Sequence, residues 1–383
     1  MPVASMVSFR LGGPDGVSVQ AATWGRALER LGYTVRRVAG ELADGPCPGD
    51  VVVPGLAVAA EAAPGPGGQR PAEPRGPDPS ELRAALRGSA VVVVENVLSL
   101  PLHLEAARVL TAVLAELPAE TRVLLHHHDF AWQRPETEMI TELPPLLPGA
   151  VHVTINDFSR RELADRGIDA VTVRNAFDLD APPGRRDATR EALGIGADDL
   201  LVLQPTRAIA RKNIPASLHL AEGLAERLAR PVVFWLPGPA EDGYAATLAD
   251  VLATTTLPVL RDGPGSLRLS PEGAAAGMGD AYAASDLVTF PSTGGEGFGQ
   301  PVIESVWANR PLAVLRYPAL DEILALGFSF LPADDPEAVA AALREPARRD
   351  GLGPVAARNR ERAQTHFSMK ALERALEALL RPR

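Results

Sequence analysis

The sequence is poor in cysteine, lysine and aromatic residues. Its 383 residues include one cysteine, Cys47, which excludes a disulfide framework and a cysteine-rich metal site. Only Lys212 and Lys370 are lysines among the 38 basic residues, and aromatic residues make up 5% of the chain. A GC-rich genome is the simplest explanation for the excess of arginine, and a lysine kept in such a chain is a mild hint of a position that suits a compact ammonium group.

Long hydrophobic runs are also missing. No run approaches the roughly 18 apolar residues that would cross a bilayer, and the apolar stretch within residues 1–10 is too short for a signal peptide. Together with the single cysteine, this predicts a cytoplasmic protein without a transmembrane segment. The net charge of -10 argues against a nucleic-acid partner. The oligomeric state stays open.

Short apolar runs alternate with helical patterns along the chain. This alternation is typical of βαβ units, so we predict an α/β fold with two doubly wound parallel sheets. We place the first domain at residues 1–180, the second at 181–357, and a C-terminal helix at about 358–383 that packs back on the first domain. Asp180–Arg186 contains Pro-Pro-Gly and is predicted to be the linker. The Pro- and Gly-rich segment Glu61–Ser80 is predicted to be a surface loop. The predicted strands are residues 6–9, 51–53, 91–94, 123–125 and 151–155 in the first domain, and 200–203, 232–236, 287–290 and 312–315 in the second.

Three loops follow predicted strands and carry residues suited to an anionic ligand. Gly12 and Gly13 lie between the first strand and a helix, where backbone can approach a ligand closely, although a plain βα turn explains them more simply. Arg207 and Lys212 follow the strand at 200–203 and place two cations where ligands of open α/β sheets bind. A solvated basic turn is the competing interpretation.

The third loop spans Glu296 to Glu304 with the sequence Glu-Gly-Phe-Gly-Gln-Pro-Val-Ile-Glu. Gly297 and Gly299 free backbone N–H groups, and Pro301 fits the first turn of a helix. Glu296 lies on the loop and Glu304 about one turn into that helix. Carboxylates accept hydrogen bonds from diols, so this loop predicts a sugar-nucleotide site, whereas either glutamate alone would be an ordinary surface residue.

Three consecutive histidines, residues 126–128, end the strand at 123–125 and precede Asp129. Because adjacent side chains on a strand point to opposite faces, we do not expect them to share a metal ion. We interpret them as polar hydrogen-bond donors at the mouth of a cleft, and the packing of one of them in the core is the alternative.

Taken together, these motifs resemble the retaining GT-B glycosyltransferases of family 4 over nearly the whole chain. The matching segments are Gly12-Gly13 with Gly16-Val17, His128-Asp129, Asn175–Asp178, Arg207 with Lys212, Pro291-Ser292, Glu296–Glu304 and His366–Met369. The resemblance implies two Rossmann-like domains that face a central cleft, with the acceptor bound by the first domain and the nucleotide sugar by the second.

The resemblance also implies a role for each residue of the site. Arg207 and Lys212 would hold the pyrophosphate of the donor, Glu304 its ribose, and Glu296 the transferred sugar. His128 would contact that sugar, with His127 as the alternative. The remaining donor-binding residues would be Gly12, Gly13, Asp129, Gly297, Phe298, Gly299, Gln300, Pro301 and Val302, the N–H groups of Gln300 and Val302 facing the phosphate.

The chain departs from the family pattern at Ala176 and Phe177, where Gly-Val is usual, and at Trp307 and Asn309, where a small residue and glycine are usual. Asparagine tolerates a positive φ, so we expect the turn at residue 309 to survive.

The resemblance implies transfer of a hexosyl group from a UDP-, GDP- or ADP-sugar to a hydroxyl acceptor, with retention of anomeric configuration and without a metal or other cofactor. The acceptor, whether a small molecule, a glycan or a lipid, stays open. The alternatives are a GT-B sugar phosphorylase and a non-catalytic protein that binds nucleotide sugars. A basic face for a membrane surface, formed by Trp24, Arg26, Arg30, Arg36 and Arg37, is a further alternative, although a solvated helix face explains these residues more simply.

Overall fold

The structure is a computed structural model that describes residues 1–13, 15–58, 75–134, 137–241, 243–269, 273–345 and 353–381. Its contacts divide the chain into two compact units, Met1–Ala176 with Met369–Arg383, and Phe177–Ser368. We call them the N-terminal and the C-terminal unit. None of the helices in the described ranges is long and apolar enough to cross a bilayer.

The N-terminal unit contains a seven-stranded parallel sheet. Its strands lie in the order β3-β2-β1-β4-β5-β6-β7. They are β1 (Val3–Leu11), β2 (Thr34–Leu42), β3 (Val51–Val52), β4 (Ser89–Glu95), β5 (Arg122–His127), β6 (Val151–Thr154) and β7 (Ala170–Thr172), and helices α1 (Gly16–Arg30), α2 (Pro79–Leu86), α3 (Leu104–Ala115) and α4 (Asp157–Ala164) lie between them.

The C-terminal unit contains a six-stranded parallel sheet and a short antiparallel pair. The six strands lie in the order β10-β9-β8-β13-β14-β15, and β11 pairs with β12. The strands are β8 (Leu200–Leu203), β9 (Val232–Trp235), β10 (Val259–Leu260), β11 (Arg268–Leu269), β12 (Ala274–Ala275), β13 (Leu287–Phe290), β14 (Leu312–Val314) and β15 (Leu331–Pro332). The helices are α5 (Arg186–Leu193), α6 (Ile214–Leu228), α7 (Ala245–Ala253), α8 (Met278–Ala284), α9 (Pro301–Trp307), α10 (Pro318–Ala325), α11 (Pro336–Arg344) and α12 (Pro354–His366).

Both sheets have the sequence character of parallel strands covered on both faces. Val91–Val94 of β4 alternate between two cores, one shared with α2 and α3 and the other with α1. Strands buried on both faces read as continuous apolar runs rather than as alternating ones. The prediction of two doubly wound parallel sheets is therefore confirmed.

The end of the chain forms two helices rather than the single helix predicted at 358–383. α12 belongs to the C-terminal unit, and the last helix, α13 (Met369–Leu380), belongs to the N-terminal unit. Leu372 and Leu376 of α13 are buried in the core that α1 also lines. The break falls at Phe367 and Ser368, where Phe367 accepts a backbone hydrogen bond from Phe177.

Two predicted loops also differ from the structure. Residues 61–74 of the Pro- and Gly-rich segment lie outside the described residues, whereas Pro79 and Ser80 begin α2, which is capped by Asp78. The predicted linker at 180–186 is packed within the C-terminal unit, because Ala181 accepts a hydrogen bond from Trp307 and Arg185 pairs with Asp280. The boundary between the N-terminal and the C-terminal unit lies between residues 176 and 177 instead.

Candidate functional site

The segment after β8 carries the predicted pair of cations, Arg207 and Lys212. Gly238, in the loop after β9, lies against the carbonyl of Thr206 so closely that a Cβ atom there would collide with it. The N–H of Ala208 donates a hydrogen bond to the carbonyl of Pro239 at 2.8 Å. The segment is thus fixed by backbone contacts at the carboxyl end of the sheet, where ligands of such sheets bind.

Arg207 pairs with Glu241, which the sequence analysis did not select. Nη1 of Arg207 donates to Oε2 of Glu241 at 2.5 Å, and the two side chains are 45% and 40% exposed. Ion pairs this exposed contribute about 0–1 kcal/mol. A phosphate could therefore replace the Glu241 carboxylate at little cost.

Lys212 and Glu296 meet directly. Nζ of Lys212 donates to Oε1 of Glu296 at 2.6 Å, with the side chains 10% and 6% exposed. Arg211 contacts the same oxygen through Nη1, and Nζ of Lys212 lies 4.8 Å from the centroid of the Phe290 ring. A buried carboxylate thus lies between two cations, which leaves one positive charge in excess at the carboxyl ends of β8 and β13.

The loop after Glu296 requires glycine at position 299. Gly299 has a φ of +80°, and a Cβ atom there would lie 2.6 Å from Cε1 of Phe290 and would also meet the hydroxyl of Tyr317. That hydroxyl donates to the carbonyl of Phe298 at 2.8 Å. Gly297 and the buried Phe298 therefore precede a tightly packed turn, and burial raises the pKa of Tyr317.

The helix predicted to follow this loop is α9, which begins at Pro301. Val302 donates its N–H to the carbonyl of Gly299 at 3.0 Å. The Val302 N–H, which the resemblance implies faces a phosphate, is therefore engaged within the turn in this structure. Gln300 precedes α9 as its N-cap residue.

Glu304 lies one turn into α9, as predicted, and it has a tyrosine partner. The hydroxyl of Tyr282, at 1% exposure, donates to Oε2 of Glu304 at 2.5 Å. Burial raises the pKa of Glu304, and the hydrogen bond from Tyr282 opposes this effect. Oε1 of Glu304 is the oxygen that this tyrosine leaves to other hydrogen-bond donors.

In the N-terminal unit, Gly12 and Gly13 follow β1. Gly12 has a φ of +77°, and a Cβ atom there would collide with the carboxylate of Asp44. Asp15 caps α1 by accepting from the N–H of Ser18 at 3.0 Å. The backbone conformation at position 12 and the close approach of Asp44 both require glycine there. A plain βα turn is enough to explain this requirement.

The three histidines divide between the two faces of the sheet, as their alternation predicts. His126 and His128 both contact Oε2 of Glu95 at 2.8 Å. His127 points the other way, where Nδ1 meets Oγ of Ser99 at 2.5 Å and Nε2 meets Nδ1 of His152 at 2.9 Å.

These contacts separate the two candidate histidines. Both ring nitrogens of His127 are engaged and the residue is 1% exposed. Burial and the neighbouring His152 hold the pKa of His127 well below its usual value. His128 is therefore the better placed of the two to contact a ligand.

The residues that follow the histidines pack against one another. Asp129 accepts a hydrogen bond from Arg134 at 3.3 Å. The Trp132 ring stacks on Phe130 at 4.3 Å, and the guanidinium of Arg166 lies 4.0 Å from its centroid. Both faces of Trp132 thus have partners within the N-terminal unit.

Trp24, the aromatic member of the alternative basic face, does not reach the protein surface. Trp24 is fully buried and stacks on His126 with ring centroids 4.1 Å apart. Arg37 pairs with Asp44 and Asp50, and these pairs raise its pKa. The remaining arginines of that set also have partners: Arg26 donates to Thr23, Arg30 pairs with Glu373, and Arg36 donates to the carbonyls of Ala85 and Arg87.

Sequence reasoning missed several partners of the predicted site residues. They are Glu95, Asn96, Arg211, Glu241, Tyr282 and Tyr317. Glu95 carried a usable signal, because it is a charged residue that directly follows four valines at the end of β4. Arg211 lies inside the selected motif. The other partners come from loops and helices whose approach no local pattern reveals.

The fold is that of the GT-B glycosyltransferases, which also have two parallel-sheet α/β domains. Anabaena HepE, solved in complex with UDP and glucose, matches 99% of this chain and 99% of its own with a TM-score of 0.70 at 14% identity. WaaG, a glycosyltransferase involved in lipopolysaccharide biosynthesis, matches 98% of this chain and 99% of its own with a TM-score of 0.64, also at 14% identity. At such identities the likeness shows the fold alone.

Sequence relatives are glycosyltransferases as well. Mannosylglucosylglycerate synthase of Thermotoga maritima is 29% identical over 285 residues, which cover 66% of this chain and 64% of the relative. D-inositol 3-phosphate glycosyltransferase of Kineococcus radiotolerans is 33% identical over 233 residues, which cover 54% of this chain and 52% of the relative. The match thus spans less than two thirds of either relative. No family model matches the chain.

Proposed function

We propose that this chain is a hexosyltransferase that uses a nucleoside diphosphate sugar as donor and a hydroxyl group as acceptor, with retention and without a metal ion. The observation that carries the proposal is the meeting of Lys212, Arg211 and Glu296 at the carboxyl ends of β8 and β13. The likeness to glycosyltransferases in both sequence and fold supports it.

The cations supply the main catalytic effect that we propose. When the anomeric carbon–oxygen bond to the donor phosphate breaks, negative charge builds on the nucleoside diphosphate. Once the donor is bound, Arg207 and Lys212 lie beside this charge and stabilise it without further reorganisation during the reaction. Arg207 can grip a phosphate through two parallel N–H groups, while Lys212 acts as a point charge.

The two glutamates bind the uncharged parts of the donor. Glu296, held by Lys212 and Arg211, accepts hydrogen bonds from hydroxyl groups of the transferred sugar. Glu304, oriented by Tyr282, accepts hydrogen bonds from the ribose. His128 of the N-terminal unit contacts the transferred sugar.

For retention, we propose that the acceptor oxygen forms its bond to the anomeric carbon on the face that the phosphate leaves. The acceptor's proton passes to an oxygen of the departing β-phosphate, so that the glycoside and the nucleoside diphosphate are the only products. No metal ion takes part in this scheme. Turnover that is unchanged by a chelator would agree with it, and turnover that is lost in chelator and restored by Mg²⁺ would contradict it.

Substitution of the two cations tests the function itself. We expect Arg207→Ala and Lys212→Ala each to lower kcat by about 10²–10³-fold, as removal of one preorganised charge-stabilising group does elsewhere. Arg268→Ala, at an exposed arginine of β11, is the matched control and should retain full turnover. Unchanged turnover in both test variants would overturn the assignment.

A thermal-shift panel of UDP-, GDP- and ADP-hexoses would identify the donor. A ligand at 100 times its Kd adds about 2.7 kcal/mol to the free energy of unfolding. UDP-glucose is a suitable first member, since HepE was solved with it. The names of the sequence relatives contain a glycerate and an inositol phosphate, so small hydroxylated anions are our first choice of acceptors.

A further inference from the structure

A buried carboxylate and two imidazoles form a cluster at the carboxyl end of β4 and β5. Oε2 of Glu95 lies 2.8 Å from Nδ1 of His126 and 2.8 Å from Nε2 of His128. The side chains of Glu95 and His126 are fully buried, and that of His128 is 7% exposed. The two strands bring Glu95 and His126 side by side, since these residues are register partners.

The charge on Glu95 decides where the protons of the cluster lie. Burial alone would raise its pKa, but the contacts with His126 and His128 outweigh burial and lower the pKa to about 2. An ionised carboxylate only accepts hydrogen bonds. Both ring nitrogens that touch it must therefore carry a hydrogen, which places the proton of His128 on Nε2.

When the His128 imidazole is neutral, this placement of its hydrogen on Nε2 leaves Nδ1 with a lone pair. No hydrogen bond engages Nδ1 within the part of the chain that the structure describes. In a neutral imidazole whose Nε2 carries the hydrogen, Nδ1 is an acceptor. A group that meets this nitrogen must then be a hydrogen-bond donor, such as a sugar hydroxyl.

Further contacts fix the position of the His128 ring. The side chain of Asn96, a residue with a φ of +61°, accepts a hydrogen bond from the N–H of His128 at 2.8 Å. The His126 ring packs against that of His128 with centroids 4.4 Å apart, and Trp24 in turn stacks on His126. The ring is thus supported through its backbone, one nitrogen and one face.

We propose that Glu95 is a positioning residue that fixes His128 in the tautomer with hydrogen on Nε2, so that Nδ1 accepts a hydrogen bond from a hydroxyl of the transferred sugar. The ligand contact rests on the proposed function, whereas the tautomer does not. A divalent metal ion held by Glu95, His126 and His128 is the competing interpretation, because their ligand atoms lie within 4.8 Å of one another. The hydrogen-bond interpretation is favoured because both nitrogens converge on one oxygen at hydrogen-bond distance.

Nitrogen NMR of protein labelled at histidine tests the tautomer without any substrate. The His128 signals, assigned by their loss in His128→Ala, should show a protonated Nε2 and an unprotonated Nδ1. Ser99→Ala is the matched control, because it removes a hydrogen bond from His127 and should leave the His128 signals unchanged. A proton on Nδ1 of His128 in the unaltered protein would overturn the proposal, as would stoichiometric Zn²⁺ binding that displaces the Nε2 proton.

Kinetics test whether Glu95 acts through His128. Glu95→Gln should lower kcat/KM by about 10- to 100-fold, the range expected for a hydrogen bond to a charged group, while leaving affinity for the free nucleoside diphosphate unchanged. In the His128→Ala background, Glu95→Gln should cause no further loss. Losses that multiply would overturn the positioning role. Absence of transfer by the unaltered protein would instead count against the proposed function, and the NMR result would still decide the tautomer.

Discussion

Substitution of Gly299 tests the packing of the loop after Glu296, and the size of the expected effect follows from the structure. Alanine at this position must keep a φ of +80°, which costs an L-residue about 1–2 kcal/mol. Its Cβ atom would also lie 2.6 Å from the Phe290 ring and against the Tyr317 hydroxyl, and overpacking of this kind costs about 1–3 kcal/mol. We therefore expect Gly299→Ala to destabilise the protein by about 2–5 kcal/mol.

Gly295 is a matched control in the same loop. Its φ is +69°, and a Cβ atom there would meet nothing within 4 Å among the described residues. Gly295→Ala should therefore show only the backbone cost of about 1–2 kcal/mol. Urea unfolding of both variants measures the difference, and donor affinity should fall further in Gly299→Ala because Phe298 and Tyr317 must move. Equal loss of stability in the two variants would refute the packing that we describe.

Three further predictions concern charged groups. Lys212→Arg should lower both stability and turnover, because a larger guanidinium must fit beside the Phe290 ring. Lys370 is exposed, so the control Lys370→Arg should change neither. Equal effects of the two substitutions in calorimetry and turnover assays would contradict this prediction. Tyr282→Phe should weaken donor binding at neutral pH, because the loss of its hydrogen bond further raises the pKa of Glu304, which burial already raises. Titration calorimetry measures the donor Kd at pH 6 and pH 8, and values equal to those of the unaltered protein would contradict this prediction. The pKa of Glu95 is lowered from 4.5 to about 2, so ionised Glu95 contributes roughly 3 kcal/mol to the free energy of unfolding. This contribution is present above pH 4.5 and is lost as the pH falls towards 2. Acid unfolding of Glu95→Gln should lack this part of the pH dependence.

The sheet of the C-terminal unit was predictable because its signals are local. Leu200–Leu203 and Leu287–Phe290 are continuous apolar runs that the structure shows as β8 and β13. Pro301 marks the start of α9, and Asn309 adopts a φ of +53° at the turn that was predicted to tolerate asparagine. Each of these features depends on a few neighbouring residues, so that one sequence suffices to find it.

β2 was missed because its pattern is not apolar. Thr34–Leu42 has Arg36 and Arg37 near its centre and only two fully buried residues, Val38 and Ala39. Arg37 is accommodated by Asp44 and Asp50, which follow the strand and neutralise its charge. The same arginines suggested a basic surface, because the sequence shows their charges but not the carboxylates that approach them.

The Glu95 cluster could not be predicted for a different reason. Glu95 and His126 meet only because β4 and β5 are adjacent and in a register that pairs these two residues. A shift of the register by one residue would turn the partner to the opposite face of the sheet. Strand order and register depend on the whole unit. The sequence therefore predicted where β4 and β5 end, but it could not predict the contact between Glu95 and His126.

The two cations that we propose for the pyrophosphate are held in different ways, and this difference bears on their roles. The Arg207–Glu241 pair is exposed, so exchanging Glu241 for a phosphate loses about 0–1 kcal/mol. The Lys212–Glu296 pair is buried, and separating it would leave a buried carboxylate short of a partner, which is strongly unfavourable. Lys212 must therefore keep Glu296 while it meets the phosphate. In the proposed function, Arg207 is then the residue that moves to capture the donor, and Lys212 is the fixed charge between the phosphate and the sugar of that donor.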